Sequence, residues 1–318
     1  MGELVLRDAT LEDAAFFADV ATALIPERPT DPVVMRYEWE QAWRNWTEAR
    51  WIALLEGLPV GYAFHSHPRW ELVQERYGSV NADLLPECRT RDRLDELLAQ
   101  MEDRTREDGA RILRIRANED DPLKIGAILA RGYREDRRGR RWELDLVAER
   151  DRILEMTERT RAEMSRQGVR LLTLADDPDP EKHRKVWRLS EEGTQDVPTT
   201  APHVPEPFED HMRWVTAPGM RDDWFWIARL GDEVVGCSVL SYPPVRGVVG
   251  TEWTATARSV RGRGIARAVK CETLAQAIAL GVTRVRTGND AANDPILHIN
   301  ESMGYRPSVG AIDFLKPA

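Results

Sequence analysis

The sequence predicts a mixed α/β protein made of two copies of one unit, and three observations carry this. WIALLEGLPVG at 51–61 returns as WIARLGDEVVG at 226–236, an offset of 175. LARGYRE (129–135) returns as ESMGYRP (301–307), and PECRTRDRL (86–94) aligns with RSVRGRGIA (258–266), both at offset 172. Strand-type and helix-type segments also interleave in the same order in each copy, the pattern of helices covering a sheet. Three matches in one order at a near-constant offset indicate a duplicated unit of about 150 residues, far longer than a solenoid repeat.

Each element has a local reason. Short apolar strands open the copies at 3–7 and 169–174 and lead into helical segments. Strand pairs follow at 51–64 and 225–241, turning near Gly57 and Gly231. Further strands are expected at 78–85 and 247–257, and long helices at 91–107 and 263–280. Strands at 111–117 and 282–288, then helices at 121–131 and 293–303, precede a last strand region. Copy one closes on RRWELDLV (140–147). AERDRILEMTERTRAEMSRQG is rich in helix formers and stops at Gly168, which reads as a solvated linker helix. The expected units are therefore 1–147, a linker helix at 148–167, and 168–318.

Composition excludes several classes. A chain of 318 residues buries enough surface to need no disulfide staples. Its three cysteines, Cys88, Cys237 and Cys271, are far apart and match no metal-ligand spacing, so no metal and a reducing cytoplasmic setting are expected. The net charge of -9 argues against nucleic acid as a partner. No apolar run approaches a membrane span, and MGELVLRDAT does not read as a signal peptide. The 5 lysines against 40 arginines read as codon bias.

The segment TEWTATARSVRGRGIARAVKCETLAQAIALG (251–281) is the most informative. By strict alternation, Glu252, Thr254 and Thr256 share a small polar face, while Trp253, Ala255 and Ala257 share an apolar one. The strand runs into Arg261-Gly262-Arg263-Gly264-Ile265-Ala266 and then a helix. Glycines there let a ligand approach the backbone, and the free amides of a helix start favour an anion. The turn lacks the spacing of a dinucleotide fingerprint or a P-loop.

Arg261, Gly264 and Ala266 fall in an R-x-x-G-x-A spacing that resembles the acetyl-CoA motif of the GNAT (GCN5-related N-acetyltransferase) superfamily. TGNDAANDPILHINESMGYRP (287–307) resembles the same family's last strand and helix, with Asn293 opening the helix and Gly304-Tyr305 closing it. The duplication makes the whole chain resemble tandem-GNAT bacterial proteins, each unit a mixed, largely antiparallel sheet flanked by helices.

That resemblance implies an acetyl-CoA-dependent N-acyltransferase acting on a small-molecule amine, as a monomer or homodimer. A non-catalytic acyl-CoA binder and a protein N-acetyltransferase are the rivals. The loop 261–266 would cradle the pyrophosphate, Thr254, Ala255 and Thr256 would flank the pantetheine arm, and Asn289 and Asn293 would lie near its acetyl end. Glu252 is the candidate general base. Asn300 stands where the family places a tyrosine acid, and Asn carries no acid, so the usual donor is missing. His298 reads as an ordinary residue.

At offset 172 the first copy has Asp92 for Gly264, Leu94 for Ala266, and Val80, Ala82 and Leu84 for Glu252, Thr254 and Thr256. Asp121 replaces Asn293. A carboxylate at the pyrophosphate position repels it, so copy one reads as a degenerate scaffold. The acidic loop 191–214, with Glu191, Glu192, Asp196, Glu206, Glu209 and Asp210, is either a trap for a cationic amine or a solvated cap. Trp214, Trp224, Trp226 and Trp253 read as packing residues.

Overall fold

A computed structural model describes residues 2–318. In the first half, β1 (Leu4–Asp8) is followed by α1 (Ala14–Leu24) and α2 (Pro32–Glu40). Then come β2 (Trp46–Leu55), β3 (Leu58–Pro68), β4 (Tyr77–Leu84), α3 (Arg91–Glu107), β5 (Ile112–Asn118), α4 (Pro122–Ala130) and β6 (Arg134–Asp145). Helix α5 (Arg150–Arg166) leads to the second half, which opens with β7 (Val169–Thr173), α6 (Lys182–Thr194) and α7 (Phe208–Val215). It continues with β8 (Phe225–Leu230), β9 (Glu233–Ser241), β10 (Gly250–Thr256), α8 (Ile265–Ala279), β11 (Arg284–Asp290), α9 (Asp294–Ser302) and β12 (Arg306–Pro317). Among the described residues no helix is long and apolar enough to cross a membrane.

All strands join one twelve-stranded sheet in the order β1-β2-β3-β4-β5-β12-β6-β11-β10-β9-β8-β7. The two halves exchange their last strands. β12, from the end of the chain, pairs with β5, while β6 crosses to pair with β11. β6 and β12 pair with each other at the seam. The closing strand of the first copy thus lies beside the second copy's sheet. Strand alternation does not name a partner, and the two strands are equivalent closers of equivalent edges.

The same alternation places the core. Leu113, Ile115 and Ala117 of β5 and Ile312 and Phe314 of β12 join Leu94, Leu97 and Met101 of α3 in one apolar cluster. Trp142 and Leu144 of β6 pack with Cys271, Leu274 and Ile278 of α8 and Val285 of β11. The exchanged strand therefore contributes side chains to the second half's core.

Helix α5 differs from the solvated linker expected. Ile153, Thr157 and Met164 are buried, Thr157 Oγ1 donates to the Cys271 carbonyl at 3.3 Å, and Arg161 clamps the buried Glu272 at 2.7 and 2.8 Å. Its many charges line the outward face, while three buried positions fix it on α8.

Candidate active site

The glycine turn forms as its sequence demands. Gly262 and Gly264 have φ of 78° and 81°, the left-handed region that glycine adopts freely. Gly264 is the N-cap of α8, and no side chain bonds the first-turn amides. Those amides face an open cradle: a Cβ on Gly262 would meet no atom within 4 Å, so a side chain there would only obstruct what enters. Free amides and the positive end of the helix dipole suit a phosphate group.

Beside the turn the sheet opens. Pairing between β10 and β11 is confined to Gly250 opposite Arg286. Beyond it the two strands part, and the Thr251 and Thr256 hydroxyls are buried without a partner. A cleft of about 1130 Å³ runs through this opening. Glu252, Thr254, Ala255, Thr256, Arg261, Gly262, Gly264, Ile265, Ala266, Asn289 and Asn293 all line it.

Two expected residues do not line it. The Arg263 guanidinium turns back to Gln167, with Nε donating to Oε1 at 2.8 Å, so only its backbone stays in the turn. Asn300 is fully buried behind the wall, where its Nδ2 donates to Asn289 Oδ1 at 2.7 Å. Asn300 therefore positions Asn289. Arg261 is in the cleft but tethered: Asp196 accepts from it at 2.6 Å, and the paired arginines 258 and 261 hold the Asp196 carboxyl down at about 2.

A β-bulge corrects the strand reading. Thr251 pairs with Leu240 and Trp253 with the adjacent Val239, which leaves Glu252 as the extra residue. Strict alternation breaks there. Thr254 lies opposite Ser238, its hydroxyl 3.0 Å from Ser238 Oγ. Trp253 and Ala255 pack with Val186 and Leu189 of α6 on the other face. Glu252 sits with Ser241, whose hydroxyl donates to its Oε1 at 2.5 Å, and not on the Thr254–Thr256 face. The bulge aims the carboxylate at the side of the sheet opposite α8.

The acidic loop is not an open trap. Glu191 accepts from the Glu206 amide, Glu192 from the Arg258 amide, and Asp210 from Arg213 and the Arg44 amide. With Asp196 on Arg258 and Arg261, these charges hold the cap in place. The tryptophans pack as expected: Trp214 and Trp253 join the apolar cluster around α6, and Trp226 Nε1 donates to Gln276 at 3.0 Å.

Three residues near the cleft escape a sequence reading. Lys270 is 2 % exposed, forms no ion pair among the described residues, and holds its Nζ 5.2 Å from the Tyr305 ring centre. Burial pushes its ammonium down to about 8. Glu38, from the first half, is an exposed residue of α2 whose carboxyl lies within reach of the charges of Glu48 and Glu252. Desolvation, then the charges of Glu48 and Glu252, push it up to about 7. Arg28 lines the cleft from the turn after α1.

The first half fills the equivalent place. β4 and β5 pair over four positions, Tyr77 to Val80. Beyond them lies an ion cluster: Arg89 bridges Asp83 at 2.6 Å and Asp121, and Lys124 reaches Asp83 at 3.1 Å. Helix α3 is capped by its own Thr90. Asp121, at the position of Asn293, caps α4 through the Lys124 amide at 3.0 Å.

Comparison with known proteins agrees with this geometry. Residues 189–305 match the acetyltransferase (GNAT) family model. A tandem GNAT protein from the clavulanic acid biosynthesis pathway superposes with a TM-score of 0.75 at 17% identity, over 99% of this chain and 98% of that one. A GCN5-related N-acetyltransferase from Sphaerobacter thermophilus gives 0.69 at 16% identity, over 99% and 95%. An acetyltransferase of the GNAT family from Colwellia psychrerythraea gives 0.60 at 10%, over 99% and 100%. No curated protein matches the sequence. The glycine-turn cradle thus lies within a GNAT acetyltransferase domain matched over residues 189–305, in a chain that shares the fold of tandem GNAT proteins along its whole length.

Proposed function

We propose that the second half, 168–318, transfers an acetyl group from acetyl-CoA to the amine of a small molecule by direct attack, and that the first half, 1–147, is a non-catalytic scaffold. Acetyl-CoA supplies an acyl group activated as a thioester. The first-turn amides of α8 and Gly262 to Ala266 would hold its pyrophosphate, and the unpaired edges of β10 and β11 its pantetheine arm.

Glu252 takes the proton of the acceptor ammonium. The observation that carries this is the bulge, which takes Glu252 out of the register of its strand and turns its carboxylate away from α8. Asn289, held by Asn300, orients the acyl end. Lys270 replaces the missing tyrosine as the group that gives a proton to the departing sulfur: it is buried in the cleft wall and unpaired by any carboxylate. An ammonium near 8 matches a thiol of about 8.5, so the proton moves with little penalty either way.

Calorimetry with acetyl-CoA, followed by thiol release on an amine panel, tests the reading. One site per chain and amine-dependent thiol release are expected. Two sites, or release independent of amine, would count against it.

A further inference from the structure

The strand exchange lays one continuous face across the seam, opposite α8 and α9. Register places Arg116, Asp313, Arg137, Gly139, Arg141 and Gly288 on that face, row by row. Glu252 stands at its edge, and Arg28 reaches it from the first half.

The charges on this floor do not balance. Asp313 is shared by Arg114 and Arg116 at 3.3 and 2.7 Å. Asp290 is used by Arg137 at 2.8 Å, and Glu143 by Arg286 at 2.7 Å. Arg28 and Arg141 are left over, and neither forms an ion pair among the described residues. Arg141 is half-buried and bonds neutral groups only, Asn118 Oδ1 at 2.7 Å and the Val309 carbonyl at 3.5 Å. Loss of solvent first, and then the like charges of Arg28 and Arg116, bring its guanidinium down to about 10. The carboxylates nearest to the two leftover arginines, Glu27 and Glu252 for Arg28 and Glu119 and Asp120 for Arg141, pair with neither.

An unpaired, half-buried arginine such as Arg141 is costly unless an anion completes it, and the exposed Arg28 stands free to join it on the same ligand. Their planar forks match carboxylate or phosphate oxygens. The pyrophosphate cradle cannot be the source of that anion, because it lies at the start of α8 on the other face of the sheet.

We infer that Arg28 and Arg141 form an anion subsite for the acceptor, so that the acceptor is an amine carrying a carboxylate or phosphate, its amine at Glu252 and its anion at the seam. This rests on the acetyltransferase reading above. It also gives the first half a role, since both arginines belong to it and β6 delivers one of them.

Matched pairs test it: β-alanine against β-alaninamide, and phosphoethanolamine against ethanolamine. The anionic member should have the higher kcat/KM by about tenfold or more. Arg141→Gln should raise KM for the anionic acceptor about 10- to 100-fold, with kcat and acetyl-CoA affinity nearly kept. Arg28→Gln, on a surface turn, should act in the same direction and guards against a misfolded Arg141 variant. Equal use of neutral and anionic amines, or a KM rise common to both, would overturn the subsite. If no amine is acetylated at all, the reaction assignment fails, and direct binding decides the subsite. Inorganic phosphate titrated into CoA-saturated protein should give heat that Arg141→Gln loses, and identical heats in the two proteins would overturn it.

Discussion

In the second half, the helix after the parting strand starts at a bare glycine; in the first, it starts at a threonine that bonds its own helix. The same contrast recurs one helix later. Asn293 opens α9 with no side-chain bond to it, whereas Asp121 caps α4 and grips Arg89. One fold thus has two ways to satisfy its open places: with its own side chains, or with a ligand. The first half satisfies itself, and a buried cluster of Asp83, Arg89, Asp121 and Lys124 occupies its opening. An opening that its own chain fills needs partners for the exposed backbone and not merely the absence of glycines.

The contrast can be broken most sharply at Gly264. Gly264→Asp copies the residue that sequence alignment assigns to the first half, forces a carboxylate against the cradle and strains a left-handed position. Acetyl-CoA binding by calorimetry should fall below detection while the fold persists by circular dichroism. Glu252→Gln removes the proton acceptor and spares the cradle. Turnover at neutral pH should fall by about 10²–10⁴, with acetyl-CoA affinity intact and the deficit shrinking toward the amine's own pKa.

The first half's cluster gives a stability test. Burial alone would raise the Asp83 carboxyl, but the charge of Lys124 and the bonds from Arg89 hold it below its ordinary value. Its stabilising contribution is complete above the unfolded value of about 3.9 and is lost as pH falls through the lower folded value. Arg89→Met should cost about 1–3 kcal/mol in urea unfolding and move acid unfolding to higher pH, with no gain of acetyl-CoA binding.

Lys270→Met has the smallest effect. The folded ammonium sits near 8 against about 10.4 unfolded, so burying its charge costs stability below pH 8 and that cost fades as pH rises to 10.4. The variant should melt higher at pH 7, by roughly 2–4 °C for each kcal/mol relieved, and lose the wild-type rise in stability above pH 8. Its turnover should drop by less than that of Glu252→Gln.

The duplication, the element order and the glycine turn were legible because each is a local pattern. The bulge was not: alternation through Glu252 is as regular in sequence as an unbroken strand, and only the pairing of Thr251 and Trp253 with adjacent residues reveals the extra position. Arg28 and Arg141 were hidden by composition, since in a chain with 40 arginines two more carry no signal until the seam brings them together. The acidic loop left a trap and a cap both open for the opposite reason, because charges that are conspicuous in sequence, Glu191, Glu192, Asp196 and Asp210, are spent on arginines and amides in space.

The exchange of β6 and β12 also sets a schedule for synthesis. The edge of β5 is complete in sequence by Asn118, but its partner ends at Pro317, at the far end of the chain. At about 5–20 residues per second, the ribosome leaves that edge open for roughly 10–40 s. β6, the next strand made, does not supply the missing partner, because its native neighbours are β11 and β12. The first half therefore cannot complete its native sheet until the last strand has been made.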